Sequence, residues 1–255
     1  GIIPMMDQSL TDKILLLWGK TDRKQPDSNR YHPAVFHMID VAMVSKELLT
    51  LNGTPRYRQI IARNLEGNPA DIDQWLPWLI ALHDIGKISA AFQSNHTRQA
   101  ARLLSQGFSF GDRSWDNNPY HAHISAVYIQ DLLSEALQKN LQQVVAEMCM
   151  AHHGRFTAAE EYREARRRLR KEPSEWSILR ISCDAILRGI FLKSPISYLP
   201  EVSHISGALV SLTGLTVFSD WLASDEEIFT TQPSTGIDEY VQISIRALEC
   251  DLEKG

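Results

Sequence analysis

What this sequence lacks narrows its class before any motif is considered. Cysteine is scarce: Cys149, Cys183 and Cys250 stand alone, with no paired spacing for a bridge or a zinc site. A chain of 255 residues can bury a core large enough to do without such staples. Lone thiols suit a reducing compartment, so a cytoplasmic protein is expected. A basic surplus is also missing. Lys and Arg number 26 against 31 Asp and Glu, a net charge of -5. That balance argues against a stand-alone DNA-binding module; a nucleic-acid substrate would have to be gripped locally. The start, GIIPMMDQSL, has neither the basic region nor the long apolar stretch of a secretory signal. The most apolar segment, Ile205–Ala223, contains Ser206, Ser211, Thr213, Thr216, Ser219 and Asp220. Lipid would tolerate those poorly, so no membrane contact is expected. The segment reads as a helix buried in protein, with Asp220 placed for a purpose. Repeats and low-complexity tracts are absent, as are convincing strand alternation and a Walker A pattern.

What remains is helical. Residues 10–18 are apolar behind a Ser9/Asp12 capping pattern, and 34–49 form an amphipathic stretch opening after Pro33. Further helices are expected from Thr54-Pro55, over 75–92 with Pro77 early, and from Asn118-Pro119 to about 137. Another covers 141–152, stopped by Gly154, and Thr157 with Glu160 caps an Arg-rich helix. The last three run from Pro173 to about 191, over 204–223 and over 237–252. The fold class is therefore all-α, one domain over 1–255, with at most short peripheral β pieces near 195–198 or 108–110. Segments 19–31 and 107–118 read as loops. Residues from about 230 onward read as a tail or a linker towards a further domain.

Five elements carry candidate chemistry. His83-Asp84-Ile-Gly-Lys87 follows the apolar run 78–82. A buried carboxylate is costly unless it is paired or bound to metal, and His with carboxylate suits divalent transition ions. Lys87, three and four residues on, shares their helix face and could hold a phosphate oxygen. His37 lies on the helix after Pro33, with Asp40 one turn away to orient its imidazole. His121 and His123 sit near a helix start, where a positive charge is unwelcome and a neutral, metal-bound imidazole fits better. His152-His153-Gly154 ends an apolar helix, and Asp220 lies among Val217, Phe218, Trp221 and Leu222. The order His, His-Asp, His, His-His, Asp, all on apolar helices, is a joint pattern that no single element would make.

That order resembles the HD superfamily of metal phosphohydrolases. The finer pattern resembles the HD nuclease domain of the type I CRISPR-associated helicase-nuclease. The matching pieces are Leu17-Trp18-Gly19-Lys20; His32-Pro33 with His37 and Asp40-Val41; His83-Asp84-Ile-Gly-Lys87 with Ala91-Phe92-Gln93; His121 with Ser125-Ala126; His152-His153-Gly154; and Gly214-Leu215 with Asp220-Trp221 and Ser224. Tyr120 stands where the family usually carries Arg. The resemblance implies an HD-domain helical bundle with a di-metal site between core helices. It implies that His37, His83, Asp84 and Asp220 hold a first ion, and that Asp84 bridges to a second held by His121, His152 and His153. His121 is preferred to His123 because Ser125 then falls at the family's spacing. Asp84 and Lys87 would be catalytic, and the cofactors two divalent ions of Mn, Fe, Co or Ni. The implied activity is hydrolysis of single-stranded DNA in CRISPR interference, with a superfamily 2 helicase and a surveillance complex as partners. Without a Walker A pattern the chain itself would be a nuclease subunit or an excised domain. Arg163, Arg167 and Arg170, on one face of the Arg-rich helix, are candidates to bind the strand, and Lys20, Arg23, Lys24 and Arg30 form a second cationic set. Trp115 could stack on bases. The competing expectations are an HD hydrolase of dNTPs or cyclic dinucleotides, which would need a closed nucleoside pocket, and a non-catalytic adaptor, which would show gaps in the ligand set.

Overall fold

The computed structural model describes residues 7–22, 28–50, 55–112, 120–133, 136–154, 159–230 and 235–252; of residues 132, 198, 251 and 252 it describes only the backbone. The first helix, α1 (Gln8–Leu16), is capped by Asp7, whose carboxylate accepts the Ser9 N–H at 2.9 Å. The cap thus precedes the residue expected to provide it. The helix stops before Trp18, which opens a strand: β1 (Trp18–Thr21) pairs antiparallel with β2 (Tyr31–Pro33). This hairpin occupies both flanks of the segment expected to be a loop. Strands of four and three residues are too short to display alternation.

Immediately after β2 comes α2 (Ala34–Thr50), the centre of the molecule. Every residue from Ala34 to Ser45 is buried. The stretch is therefore not amphipathic; a helix enclosed on all sides is a core helix. Around it lie α3 (Pro55–Asn64), α4 (Leu76–Ala81), α5 (Ala90–Gln93), α6 (Thr97–Ser105), α7 (His121–Leu132), α8 (Lys139–Ala151), α9 (Ala159–Leu169), α10 (Ser174–Phe191), α11 (Ile205–Ala223) and α12 (Ile237–Leu252). The bundle is all-α apart from the hairpin, as the sequence predicts. Helix α6 has no counterpart in the sequence reading; the His96 ring accepts the Gln99 N–H at its start, at 3.4 Å.

Three further expectations about the secondary structure need correction. The segment 75–92 is not one helix. It is α4, a 3₁₀ turn over Leu82–Lys87, a break at Ile88 and the short α5, restarted by Ser89, whose hydroxyl accepts the Phe92 N–H at 3.2 Å. Neither candidate β piece exists: Ile196–Tyr198 is a 3₁₀ turn and 108–110 are irregular. Helix α11, expected to be enclosed, is so on one side only. Its inner face, with Leu212, Leu215 and Ser219, meets α2, α3 and α8, while Val210 and Trp221 are 73% and 70% exposed. By length and composition alone it would pass for a membrane span. The expectations placed on Arg23, Lys24, Thr54, Trp115, Asn118-Pro119 and Thr157 fall outside the described residues.

Much of the stretch beyond residue 230 is α12, and it docks on α2. Tyr240 stacks on Phe36 with ring centroids 3.7 Å apart. The buried Asp40 carboxylate accepts from the Tyr240 hydroxyl at 2.9 and 3.0 Å and from Ser244 at 2.9 Å, and lies 2.9 Å from His32 Nε2. Asp40 therefore faces α12 and does not orient His37, whose Nδ1 has no hydrogen-bond partner among the described residues.

Candidate metal centre

The 3₁₀ turn supplies the middle of the site. A 3₁₀ turn eclipses residues three apart, which sets Lys87 directly over Asp84: the ammonium lies 2.7 Å from Asp84 Oδ2. Helix α7 can pack closely on this turn only where the turn carries no side chain, and Gly86 is that residue. A Cβ there would lie 2.0 Å from His121 O and 2.7 Å from Ser125 N. The glycine lets the first turn of α7 lie on the His83-Asp84 segment, and the Gly86 N–H donates to Ser125 Oγ at 2.8 Å. Gln93 holds the other side, donating to Lys87 O at 2.9 Å and Trp18 O at 2.8 Å.

Two groups of side chains converge on Asp84. Oδ2 lies 3.4 Å from His37 Nε2 and 3.4 Å from His83 Nε2. Oδ1 lies 3.2 Å from His121 Nε2 and 3.7 Å from His152 Nε2. Asp220 closes the first group, with Oδ1 2.9 Å from His37 Nε2. His153 closes the second, with Nε2 3.0 Å from His121 Nε2. The nitrogens and oxygens of His37, His83 and Asp220 lie mutually close enough for one ion, and so do those of Asp84, His121, His152 and His153. His123 is in neither group. All seven candidate ligands named from the sequence are thus brought together, on α2, the 3₁₀ turn, α7, the end of α8 and α11.

The donor set has the chemistry that a metal ion needs. His83 Nδ1 lies 2.8 Å from Ile80 O, and His152 Nδ1 2.6 Å from Cys149 O. Each ring donates to the turn of helix before it, which fixes the tautomer and aims Nε2 inward, the usual outer-shell arrangement at metal sites. Those two Nε2 atoms and Asp84 Oδ1 are buried without a hydrogen-bond partner among the described residues. Buried polar atoms are rarely left so; a cation in each group would satisfy all three, one for His83 and one for His152 and Asp84 Oδ1.

Charge states agree. Burial pushes the imidazoles of His37, His121 and His153 below their usual range, and that of His152 well below, with the neighbouring cations and rings adding to the effect. For His83 burial works downward, but Asp84 outweighs it and holds the ring above its usual range. Burial works against an ionised Asp84, yet Lys87, His83, His121 and His37 beside it keep its carboxyl well below the ordinary value. Asp220 is likewise held low, burial being outweighed by His37. Neutral imidazoles beside ionised carboxylates are the forms that bind metal, and every ligand but His83 leans that way without one.

Arg163, Arg167 and Arg170 are exposed on α9 and the turn after it and are not among the converging residues; Arg167 is ion-paired with Glu164. Among the first-loop cations, Lys20 behaves differently from a loop cation. It reaches the end of α11, donating to Ser224 Oγ at 2.9 Å and Ala223 O at 3.3 Å. Burial, with Lys87 nearby, lowers its pKa to about 8. The supporting roles of Gln93, Ser125 and Lys20 are not visible from residue type or spacing. Their only signal is membership of the matching motifs.

Residues 18–229 match the family described as Cas3, HD domain. A curated relative, the CRISPR-associated endonuclease/helicase Cas3 of Thermus thermophilus, is 29% identical over 226 residues, covering 87% of this chain and 23% of its own length. The crystal structure of the Thermus thermophilus Cas3 HD domain in the presence of Ni2+ superposes with a TM-score of 0.64 at 26% identity, covering 93% of this chain and 90% of that one. A further crystal structure, of a CRISPR-associated protein, shares the fold with a TM-score of 0.75 at 24% identity, covering 98% of this chain and 28% of that one. The chain thus spans about a quarter of its long relatives, 23% of one and 28% of the other. Every one of the converging side chains, from His37 to Asp220, lies inside the matched stretch, and the chain belongs to the Cas3 HD domain family.

Proposed function

We propose that this chain is a metal-dependent nuclease that hydrolyses phosphodiester bonds of single-stranded DNA in CRISPR interference. It would act in the cytoplasm with a superfamily 2 helicase, as a domain or a subunit, and with a surveillance complex. The observation that carries the reading is the Asp84 carboxylate, with one oxygen turned to His37 and His83 and the other to His121 and His152. A shared carboxylate of that kind sets two cation positions side by side.

His37, His83 and Asp220 would hold the first ion, His121, His152 and His153 the second, with Asp84 common to both. The histidine-rich set favours Mn, Fe, Co or Ni over Mg or Ca. Divalent ions bound there supply Lewis acidity and an activated water for attack on phosphorus. Lys87, 2.7 Å from Asp84, offers its ammonium to charge building on the phosphoryl oxygens. The apolar helices behind the site exclude water from its rear, while His153 is exposed among the described residues. An exposed ligand at the rim suits a polymer and so favours a strand over an enclosed nucleotide. Arg163, Arg167 and Arg170 would follow the strand's phosphates as an electrostatic rail.

The test is incubation of circular single-stranded DNA with the protein stripped by chelator and then reloaded with Mn2+, Co2+ or Ni2+, beside free dNTPs. Linearised and fragmented circles that appear only on reloading are expected. Cleavage indifferent to chelator, or hydrolysis of the nucleotides alone, would sink the proposal.

A further inference from the structure

We infer that Lys20 is a positioning residue for the Asp220 carboxylate, and that Trp18-Gly19-Lys20 is the clip that brings it there. The inference rests on reading His37, His83 and Asp220 as a metal-ligand group.

Asp220 is the member of that group most in need of support. Its side chain is 22% exposed, against 1% for His37 and 0% for His83. It stands in the last turn of α11, which ends at the cap Ser224. There the negative end of the helix dipole disfavours a carboxylate, and helix ends fray. Lys20 supplies what this end lacks. Its ammonium donates to Ala223 O at 3.3 Å and Ser224 Oγ at 2.9 Å. The Ser224 hydroxyl donates in turn to Asp220 Oδ1 at 3.4 Å, the oxygen that lies 2.9 Å from His37 Nε2. A cation bonded to the final carbonyls is the favourable termination for a helix. Here it also fixes the turn from which the carboxylate projects.

The two residues before Lys20 explain how β1 reaches that point. The Trp18 N–H donates to Gln93 Oε1 at 3.1 Å and its indole N–H to Gln93 O at 3.3 Å. Gln93 is the residue that also holds Lys87 O. Gly19 lets the strand lie on the start of α2: a Cβ there would stand 2.7 Å from Ala34 Cα. Trp18 anchors, Gly19 permits the approach and Lys20 crosses to α11. The segment ties the 3₁₀ turn, α2 and α11 together at the site.

The experiment is metal titration of the chelator-stripped chain, followed by calorimetry and by the visible absorption of Co2+. The wild type should take up two ions. Lys20→Met should weaken one of the two by about tenfold, the scale of losing an outer-shell contact. It should alter one Co2+ band, leave the other ion unaffected and be rescued by Lys20→Arg. Ser224→Ala should move the same ion in the same direction by less. Two-ion binding and a Co2+ spectrum in Lys20→Met identical to the wild type would overturn the inference while leaving the proposed function standing. Should Lys20→Met fail to melt cooperatively, unaltered binding by Ser224→Ala would overturn it instead. A wild type that binds no ion overturns the metal reading and this inference together.

Discussion

The two halves of the site are built differently. His37, His83 and Asp220 come from the middle of α2, the 3₁₀ turn and the last turn of α11, elements that meet only through the tertiary fold. His121, His152 and His153 come from the first residue of α7 and the residues just past α8. In the first half His37 and His83 are enclosed by core, and Asp220 stands at its edge. The second is rimmed by Tyr120, which is 44% exposed and lies over His121 and His153. His37 and His83 are held by everything packed around them, while Asp220 and the three histidines of the second half stand at helix ends and are held by a few local bonds. The first half should therefore be the more tightly organised, and the second the side through which water and substrate enter.

Asp84 belongs to both halves, so its loss should erase the comparison. Asp84→Asn keeps the shape and removes the charge. It should abolish binding of both ions and lower single-strand cleavage by about 10³-fold, the effect of losing several kcal/mol of charge stabilisation. Cleavage assays with metal titration check it, and full activity from a folded variant would refute the shared role. Gly86→Ala comes next. Its Cβ must displace the backbone of His121, so we expect a loss of about 1–3 kcal/mol in denaturant melts, as overpacking gives. The second ion should weaken more than the first. A variant with wild-type stability would show that α7 has freedom the packing denies. Asp220→Ala against His153→Ala tests the asymmetry itself. The former should cost more ion affinity, about 10- to 100-fold against a few-fold, measured by the same titration; equal losses would mean that the two halves are equally organised.

The smallest effect is in pH. His37, His121, His152 and His153 have depressed pKa values in the fold. Below the unfolded value of about 6.5 the unfolded chain binds more protons at these positions. The stability they contribute is full above that pH and is lost as pH falls. Asp84 and Asp220, also depressed, extend the loss below about pH 4. His83 has the opposite sign: its contribution is present below about 6.5 and is lost as pH rises through its folded value. Four groups outweigh one, so the metal-free protein should melt at a lower temperature at pH 5.5 than at pH 7.5. Equal melting temperatures would argue against neutral imidazoles, three of which sit in the second half.

The sequence was most legible where chemistry is dense. His-Asp after a buried run, His-His before Gly and an acid among aromatics each announce themselves by residue type, and all converge. The structural framework was less legible for specific reasons. The hairpin strands are too short to alternate. The turn over Leu82–Lys87 keeps the apolar content of a helix while changing its pitch, so hydrophobicity alone extends one helix across it. Asp40 follows His37 by one helical turn, so local spacing pairs the two. Its partners Tyr240 and Ser244 instead lie 200 and 204 positions away, where no local pattern can point. Lys20 looks like any loop cation until α11 is folded beside it.

The seam between α2 and α12 bears on where this unit can be trimmed. The family match stops at residue 229, before α12 begins. A chain shortened there would strip Asp40 of the Tyr240 and Ser244 hydroxyls and expose Phe36, leaving an acid inside the core with His32 alone beside it. Such a chain should melt well below the full one, and Asp40→Asn should recover part of the difference. The boundary that a sequence profile recognises is not the boundary at which the interior becomes closed.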